Sequence, residues 1–347
     1  RVLTCIILDI SRLFERMPMF KEFLMTALAT SALFSSVLAQ KPEEAKTQIA
    51  RWKDNAKGVI VFYYDDGTGS ALSFAVPTLE KYGVDGTFYI APGWFEKNPE
   101  KLDVWIDAAK NPCIHLANHT WMHSGAKSLD EAESEIAKAD DVLRSHLGFP
   151  KNKLMSFSHP GGVPWAITQD QEHQLAAKYS LISRPHGDKG VAGPDHDVKT
   201  AQDAIARLDL AEKTGELTFI MFHGVGGDWF KFPAADHEIL IREVARRKAE
   251  GRIWAPATID AQKYEAERNS ASITNTTSAD SLSFDLIVTT DPVQYDVPLT
   301  LVSPVPAGWE SAVIQQDQRS FEAPVHQGVL TYDVKPVSSR ITVSQNR

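Results

Sequence analysis

Two clusters of polar residues in this chain have the types and spacing of a catalytic metal site. The first is Tyr63-Tyr64-Asp65-Asp66-Gly67, where an apolar run over 59–64 stops at two adjacent carboxylates. The second is His119-Thr120-Trp121-Met122-His123, two histidines four apart just after another apolar run. One carboxylate and two imidazoles make a three-ligand set that leaves positions open for water and substrate, which is a catalytic rather than a structural arrangement. The second carboxylate is left to handle protons, and the chemistry implied is metal-assisted hydrolysis. Adjacent side chains of a strand point to opposite faces, so both Asp can face one site only if the chain turns there. Gly67 supplies the backbone freedom for that turn. A spacing of four puts both histidine rings on one side of a short helical turn or loop.

The elements that must position these residues run from 58 to 268. Strands are expected at 59–64, 87–91, 114–118, 154–158, 180–183, 218–222 and 252–255. Helical patterns lie between them at 71–82, 102–110, 129–146, 168–179, 201–214 and 236–250, and 258–267 follows the last strand. Ser128 with Glu131 makes a capping box for the longest helix, and Gly83, Gly148, Gly215 and Gly251 stand where helices should stop. Seven strands alternating with helices predict a helix-covered parallel sheet, open or closed into a barrel. In such folds function gathers at the carboxyl ends of the strands. Asp65 and Asp66 fall there, as do His119 and His123, the loop Ser158-His159-Pro160-Gly161-Gly162, Arg184, and His223. Recurrence at five strand ends says more than any one member. His223 closes a buried run and is a candidate general acid. His196 and His237 are outside candidates for the rim, and His115, inside a strand, reads as core. Trp94, Trp121, Trp165 and Trp229 lie on loops after strand ends, where they could line a groove. Two of the four are expected to be exposed, Trp229 foremost.

Composition narrows the partners. A net charge of −9 argues against nucleic acid, which needs clustered Lys and Arg. Neither a dinucleotide fingerprint nor a P-loop is present. Residues 19–39 read as a secretory signal peptide, with Lys21 ahead of an apolar, small-residue stretch and Val37-Leu38-Ala39 at its end. Cleavage after Ala39 would give a secreted or periplasmic protein with no stable membrane anchor. Residues 1–18 read as an upstream extension and 40–57 as a lead-in to the barrel. Loss of Cys5 with the leader leaves Cys113 alone, so the core rather than a disulfide must hold the fold. Residues 269–280, mostly Ser, Thr, Ala and Asn, read as a linker. Short alternating runs over 281–347, at 283–289, 298–303, 311–315, 329–334 and 340–344, predict a small antiparallel, sandwich-like β module with a structural role.

Over about residues 57–268 these motifs resemble the polysaccharide deacetylases, the NodB-homology family of carbohydrate esterases (family four). That family's Thr-Phe-Asp-Asp-Gly is similar to Tyr63-Tyr64-Asp65-Asp66-Gly67, and its His-Ser/Thr-x-x-His is matched in full by residues 119–123. The strand carrying Gly86-Thr87-Phe88-Tyr89 between them is also typical. The resemblance implies a distorted (β/α) barrel of seven strands. It implies a divalent metal, commonly Zn2+ with Co2+ or Ni2+ as alternatives, held by Asp66, His119 and His123. Asp65 would be the general base, His223 the general acid, Gly161 an oxyanion donor, and Thr120 a brace for the metal loop. The third motif departs: the family's Arg-x-Pro-x-Gly stands here as Ser158-His159-Pro160-Gly161-Gly162. The Arg that pairs with the base is missing, and Arg184 at the next strand end could replace it. The fourth motif is not recognisable, which leaves Asp188, Asp195 and Asp197 as candidates to orient His223. The implied activity is removal of acetyl groups from an N- or O-acetylated polysaccharide or oligosaccharide, of chitin, peptidoglycan or acetylxylan type. Hydrolysis of a non-carbohydrate amide, or carbohydrate binding by a catalytically weakened protein, are the alternatives.

Overall fold

The computed structural model describes residues 46–185, 187, 189–278 and 281–346. The expected leader, the segment before it and Asp188 lie outside the described residues. The first strand, β1 (Gln48–Ile49), belongs to the C-terminal sheet. The barrel wall is built by β2 (Gly58–Asp65), β3 (Gly86–Ile90), β4 (Ile114–Asn118), β5 (Met155–Phe157), β6 (Leu181–Ser183), β7 (Leu217–Phe222) and β8 (Ile253–Trp254). All pair in parallel, in the order β6-β5-β4-β3-β2-β7. β2 pairs β7 along most of its length, β8 through its first two residues and β3 through its last three. No ladder joins β6 to β7 among the described residues; a lone bridge from Val191 to Met221 stands in that gap. The architecture is a distorted (β/α)7 barrel that stays open on one side.

Every residue of β2 is buried, as expected of a strand covered on both faces. Its side chains alternate between two cores. Ile60, Phe62 and Tyr64 pack with the helices, and Val59, Val61 and Tyr63 pack in the barrel interior. The stretch expected as one helix over 71–82 is a π-helical turn, Ala71–Ala75, followed by an α-helix, Val76–Tyr82. Pro77 explains the break, because it has no N–H to continue an α-helical ladder through the junction. His115 is not core: it is half-buried and its Nε2 lies 3.1 Å from an Asp85 carboxylate oxygen.

The C-terminal module comprises β9 (Ala271–Ser278), β10 (Ser281–Val288), β11 (Leu299–Pro304), β12 (Ser311–Gln316), β13 (Arg319–His326), β14 (Val329–Val334) and β15 (Ser339–Gln345). With β1 they form an antiparallel sheet in the order β1-β11-β14-β13-β12-β15-β10-β9. The segment read as a linker is therefore not one. The helix Thr258–Ser270 passes directly into β9, which pairs with β10 along its whole length. Thr residues look like linker composition, but their β-branched side chains favour strands. Phe284, Leu301, Ile314 and Val343 of the module share one core with Val59, Val61 and Tyr63 of the barrel, through Trp52 and Tyr264.

One carboxyl group at this junction is out of place. Glu267 is buried, its Oε1 accepts from the Val297 N–H at 2.9 Å, and its Oε2 has no protein partner. Burial pushes its pKa up to about 7. The folded state then holds a proton that the unfolded chain loses near pH 4.3. The stability this contributes is complete below about pH 4.3 and is lost as pH rises towards 7. Glu267→Gln is expected to flatten that decline and to stabilise the protein at pH 8 by about 1–3 kcal/mol. Urea midpoints of both proteins at pH 5 and pH 8 check it; a variant that gains nothing at pH 8 refutes it.

Candidate active site

β2 ends at Asp65, and the next two residues are both left-handed, Asp66 at φ 73° and Gly67 at φ 60°. That double turn brings both carboxylates to one cavity of about 520 Å³ at the strand ends. A Cβ on residue 67 would stand 2.9 Å from Ile90 Cδ1, the end of a side chain that can shift, so the turn needs glycine chiefly for its φ. The loop after β4 is set in a similar way. The buried Asn118 accepts the Thr120 N–H at 2.9 Å, and Thr120 and His123 take φ of 64° and 56°. Non-glycine residues in this region store strain and persist where the surroundings over-determine them.

The three ligand candidates converge. His119 Nε2 is 3.4 Å and His123 Nε2 3.3 Å from Asp66 Oδ1, and the donor atoms of the three side chains lie within 4.8 Å of one another. Asp66 Oδ1 is buried and accepts no hydrogen bond from the protein. His119 Nδ1 lies 2.9 Å from the Ser158 carbonyl oxygen. A carbonyl can only accept, so Nδ1 carries a proton and Nε2 is the ring nitrogen that faces Asp66. Burial lowers the His123 pKa, which keeps that ring neutral. Two imidazoles and a carboxylate with an unsatisfied buried oxygen fit a divalent cation.

Asp65 is held differently. Arg184 donates from both terminal nitrogens to its two oxygens, at 2.6 Å each, with both side chains buried. The guanidinium lies against the rings of Tyr63 and Tyr89, which meet edge to face, 4.5 and 4.2 Å from their centroids. Burial by itself would raise the Asp65 pKa, but the charge and paired hydrogen bonds of Arg184 outweigh it and hold the carboxyl well below the usual range. The partner missing at Ser158 is thus supplied by Arg184, one strand further on. Tyr63 and Tyr89, absent from the sequence reading as site residues, make its socket.

His223 follows β7 and lines the same cavity, its ring 4.9 Å from that of Phe230. Its Nδ1 is buried without a partner, and burial lowers its pKa. Asp197 accepts the backbone N–H groups of Gly190 and Val191, so it braces that loop instead, and Asp195 is exposed. Gly161 lines the cavity with open space where a Cβ would be. His159 also lines it, stacked on Trp165 and bonded to the buried Glu172 at 2.7 Å; its place within the third motif was the available signal. His196 reaches the rim. His237 does not: it is fully buried against the Tyr64 hydroxyl, at 2.7 Å, and burial pushes it down to about 3. Trp94 and Trp229, 38% and 45% exposed, line the cavity and meet edge to face at 6.2 Å. Trp121 and Trp165 are half-buried and do not line it. Trp121 packs on Gly93, and the Trp165 indole donates to Glu172 at 2.9 Å.

Residues 53–180 match the family profile described as polysaccharide deacetylase. This region is a polysaccharide deacetylase domain. The match covers Asp65, Asp66, His119 and His123 and stops before Arg184 and His223. Among solved structures, the chain is similar to a family 4 carbohydrate esterase from Streptomyces lividans in complex with acetate. That likeness has 19% identity over 60% of this chain and 95% of the other, with a TM-score of 0.42. It is also similar to the peptidoglycan deacetylase PdaC from Bacillus subtilis, at 16% identity, 63% and 96% coverage and a TM-score of 0.43. A family 4 acetyl xylan esterase from Clostridium thermocellum, in complex with a cobalt ion, gives 20%, 57% and 98%, and 0.40. No curated protein matches the chain.

Proposed function

We propose that this deacetylase is a metal-dependent enzyme acting on an N- or O-acetylated polysaccharide or oligosaccharide outside the cytoplasm. The observation that carries the reading is the convergence of Asp66 Oδ1 and two imidazole Nε2 atoms beside an Arg-braced carboxylate. Asp66, His119 and His123 would hold the ion, with Zn2+ first and Co2+ or Ni2+ as alternatives. A divalent ion there would lower the pKa of a water from about 15.7 towards roughly 7 and polarise the acetyl carbonyl.

The chain's own residues supply the rest. Asp65, kept ionised by Arg184, takes a proton from the attacking water. The paired guanidinium fixes the carboxylate plane, so the base does not swing away as it is protonated. Gly161 lines the cavity, and its backbone N–H would donate to the oxyanion of the tetrahedral intermediate, a contact worth about 10²–10³ in rate. His223 delivers a proton to the departing nitrogen or oxygen. Trp94 and Trp229 give sugar rings an apolar face at the rim.

The test is acetate release from chitooligosaccharides, peptidoglycan and acetylxylan, by protein loaded with Zn2+ and then stripped by a chelator. Release from at least one substrate, abolished by chelation and restored by added metal, is the expected result. No release from any of them by loaded protein would overturn the proposal.

A further inference from the structure

Trp229 does more than wall the cavity. Its indole Nε1 donates to Asp66 Oδ2 at 2.7 Å, while Oδ1 of the same carboxylate faces His119 and His123. An indole N–H can only donate, so it secures one oxygen without competing for a cation. The segment that presents the indole is held under strain. Asp228 and Phe230, on either side of it, have φ of 56° and 47°. A bulky aromatic residue at positive φ is a genuine outlier, and such strain collects where geometry has a task.

The bonds that hold this strain run back to the turn carrying Asp66. The Ser70 N–H donates to Asp228 Oδ2 at 2.7 Å, and the Val225 N–H donates to Ser70 Oγ at 3.2 Å. The Gly224 N–H donates to the Trp229 carbonyl at 3.1 Å and closes the loop on itself. Trp94 supports the other end of the ligand set: it meets the Trp229 ring, and its own N–H donates to the Met122 carbonyl beside His123 at 2.8 Å.

We infer that Trp229 is a positioning residue for the cation: its indole pins Asp66 Oδ2 so that Oδ1 is presented between the two histidines. This rests on the metal reading above. Partners that orient a metal ligand typically contribute about 10–100-fold to affinity. A stacking role towards sugar alone would leave metal affinity untouched.

The experiment titrates metal-stripped protein with Zn2+ and with Co2+ by calorimetry, records the Co2+ absorption spectrum, and measures thermal unfolding without metal. W229F is expected to bind both ions about 10–100-fold more weakly, with a changed Co2+ spectrum and unaltered unfolding of the stripped protein. D228G, which relieves the strain and removes the Ser70 contact while keeping the indole, is expected to weaken binding in the same direction. Unchanged affinity in W229F would overturn the inference. So would a loss of affinity matched by an equal loss of stability in the stripped protein, because that marks a loop-folding role. Failure of the unaltered protein to bind either ion would instead overturn the metal reading itself.

Discussion

Arg184→Met is expected to destabilise the protein by about 3–5 kcal/mol, the usual cost of stranding one member of a buried ion pair. Asp65 would be left buried, charged and without its two 2.6 Å donors. The pH dependence should change as well. The Asp65 pKa is depressed in the folded state, so the stability it contributes is present above the unfolded value near pH 3.9 and is lost as pH falls towards the lower folded value. In Arg184→Met that acid-side loss should shrink, because only the smaller pulls of His119 and His223 then favour the ionised form against burial. Urea unfolding of both proteins at pH 3.5 and pH 7 measures this. Equal stability at pH 7 would show that the guanidinium is not the group that compensates Asp65.

Asp65→Asn should lower kcat/KM by about 10²–10⁴, the range of acid–base assistance, while metal affinity stays unchanged. Asp66, His119 and His123 keep their geometry in that variant, but the proposed proton acceptor is gone. It also strands Arg184, so stability falls, and stability must be separated from catalysis. The double variant Asp65→Asn, Arg184→Met does so. Replacing both members of a buried pair is often neutral, so folding should recover much of the loss while activity stays low. A double variant whose activity recovers along with its stability would remove Asp65 from the proton-transfer role. Acetate release and calorimetric titration with Zn2+ give the two readouts.

The candidate metal ligands were legible because each lies in a short segment at one strand end, and the strand ends of a parallel sheet share one side. Asp65-Asp66-Gly67 and His119 to His123 announce themselves by type and spacing alone. Arg184 was legible only as a residue in the right place; its bidentate geometry depends on how β2 and β6 are spaced across the sheet. The Tyr63 and Tyr89 socket was not legible, since tyrosines in strands read as ordinary core. Trp229 was legible as an aromatic near the rim, but its bond to Asp66 depends on a strained loop that no periodicity reports. The Ser- and Thr-rich stretch after Ser270 was misread as a linker because composition hides strand pairing, which β10 supplies from outside the segment. β13 was missed for a related reason: its residues alternate between half-buried and exposed, and Pro324 interrupts the pattern.

The short β1 has a consequence for how the protein is made. Gln48 and Ile49 find their strand partners at Val302 and Leu301, about 250 residues later in synthesis. Joining them closes a long loop, which is entropically costly and slow. The segment holding Gln48 and Ile49 must therefore wait, its strand edge unpaired, until β11 emerges. During translation the barrel can gather early, whereas the joint between barrel and sheet is sealed only near the end. Cells that produce this protein from a truncated message should accumulate a sticky, protease-sensitive barrel rather than a smaller working enzyme.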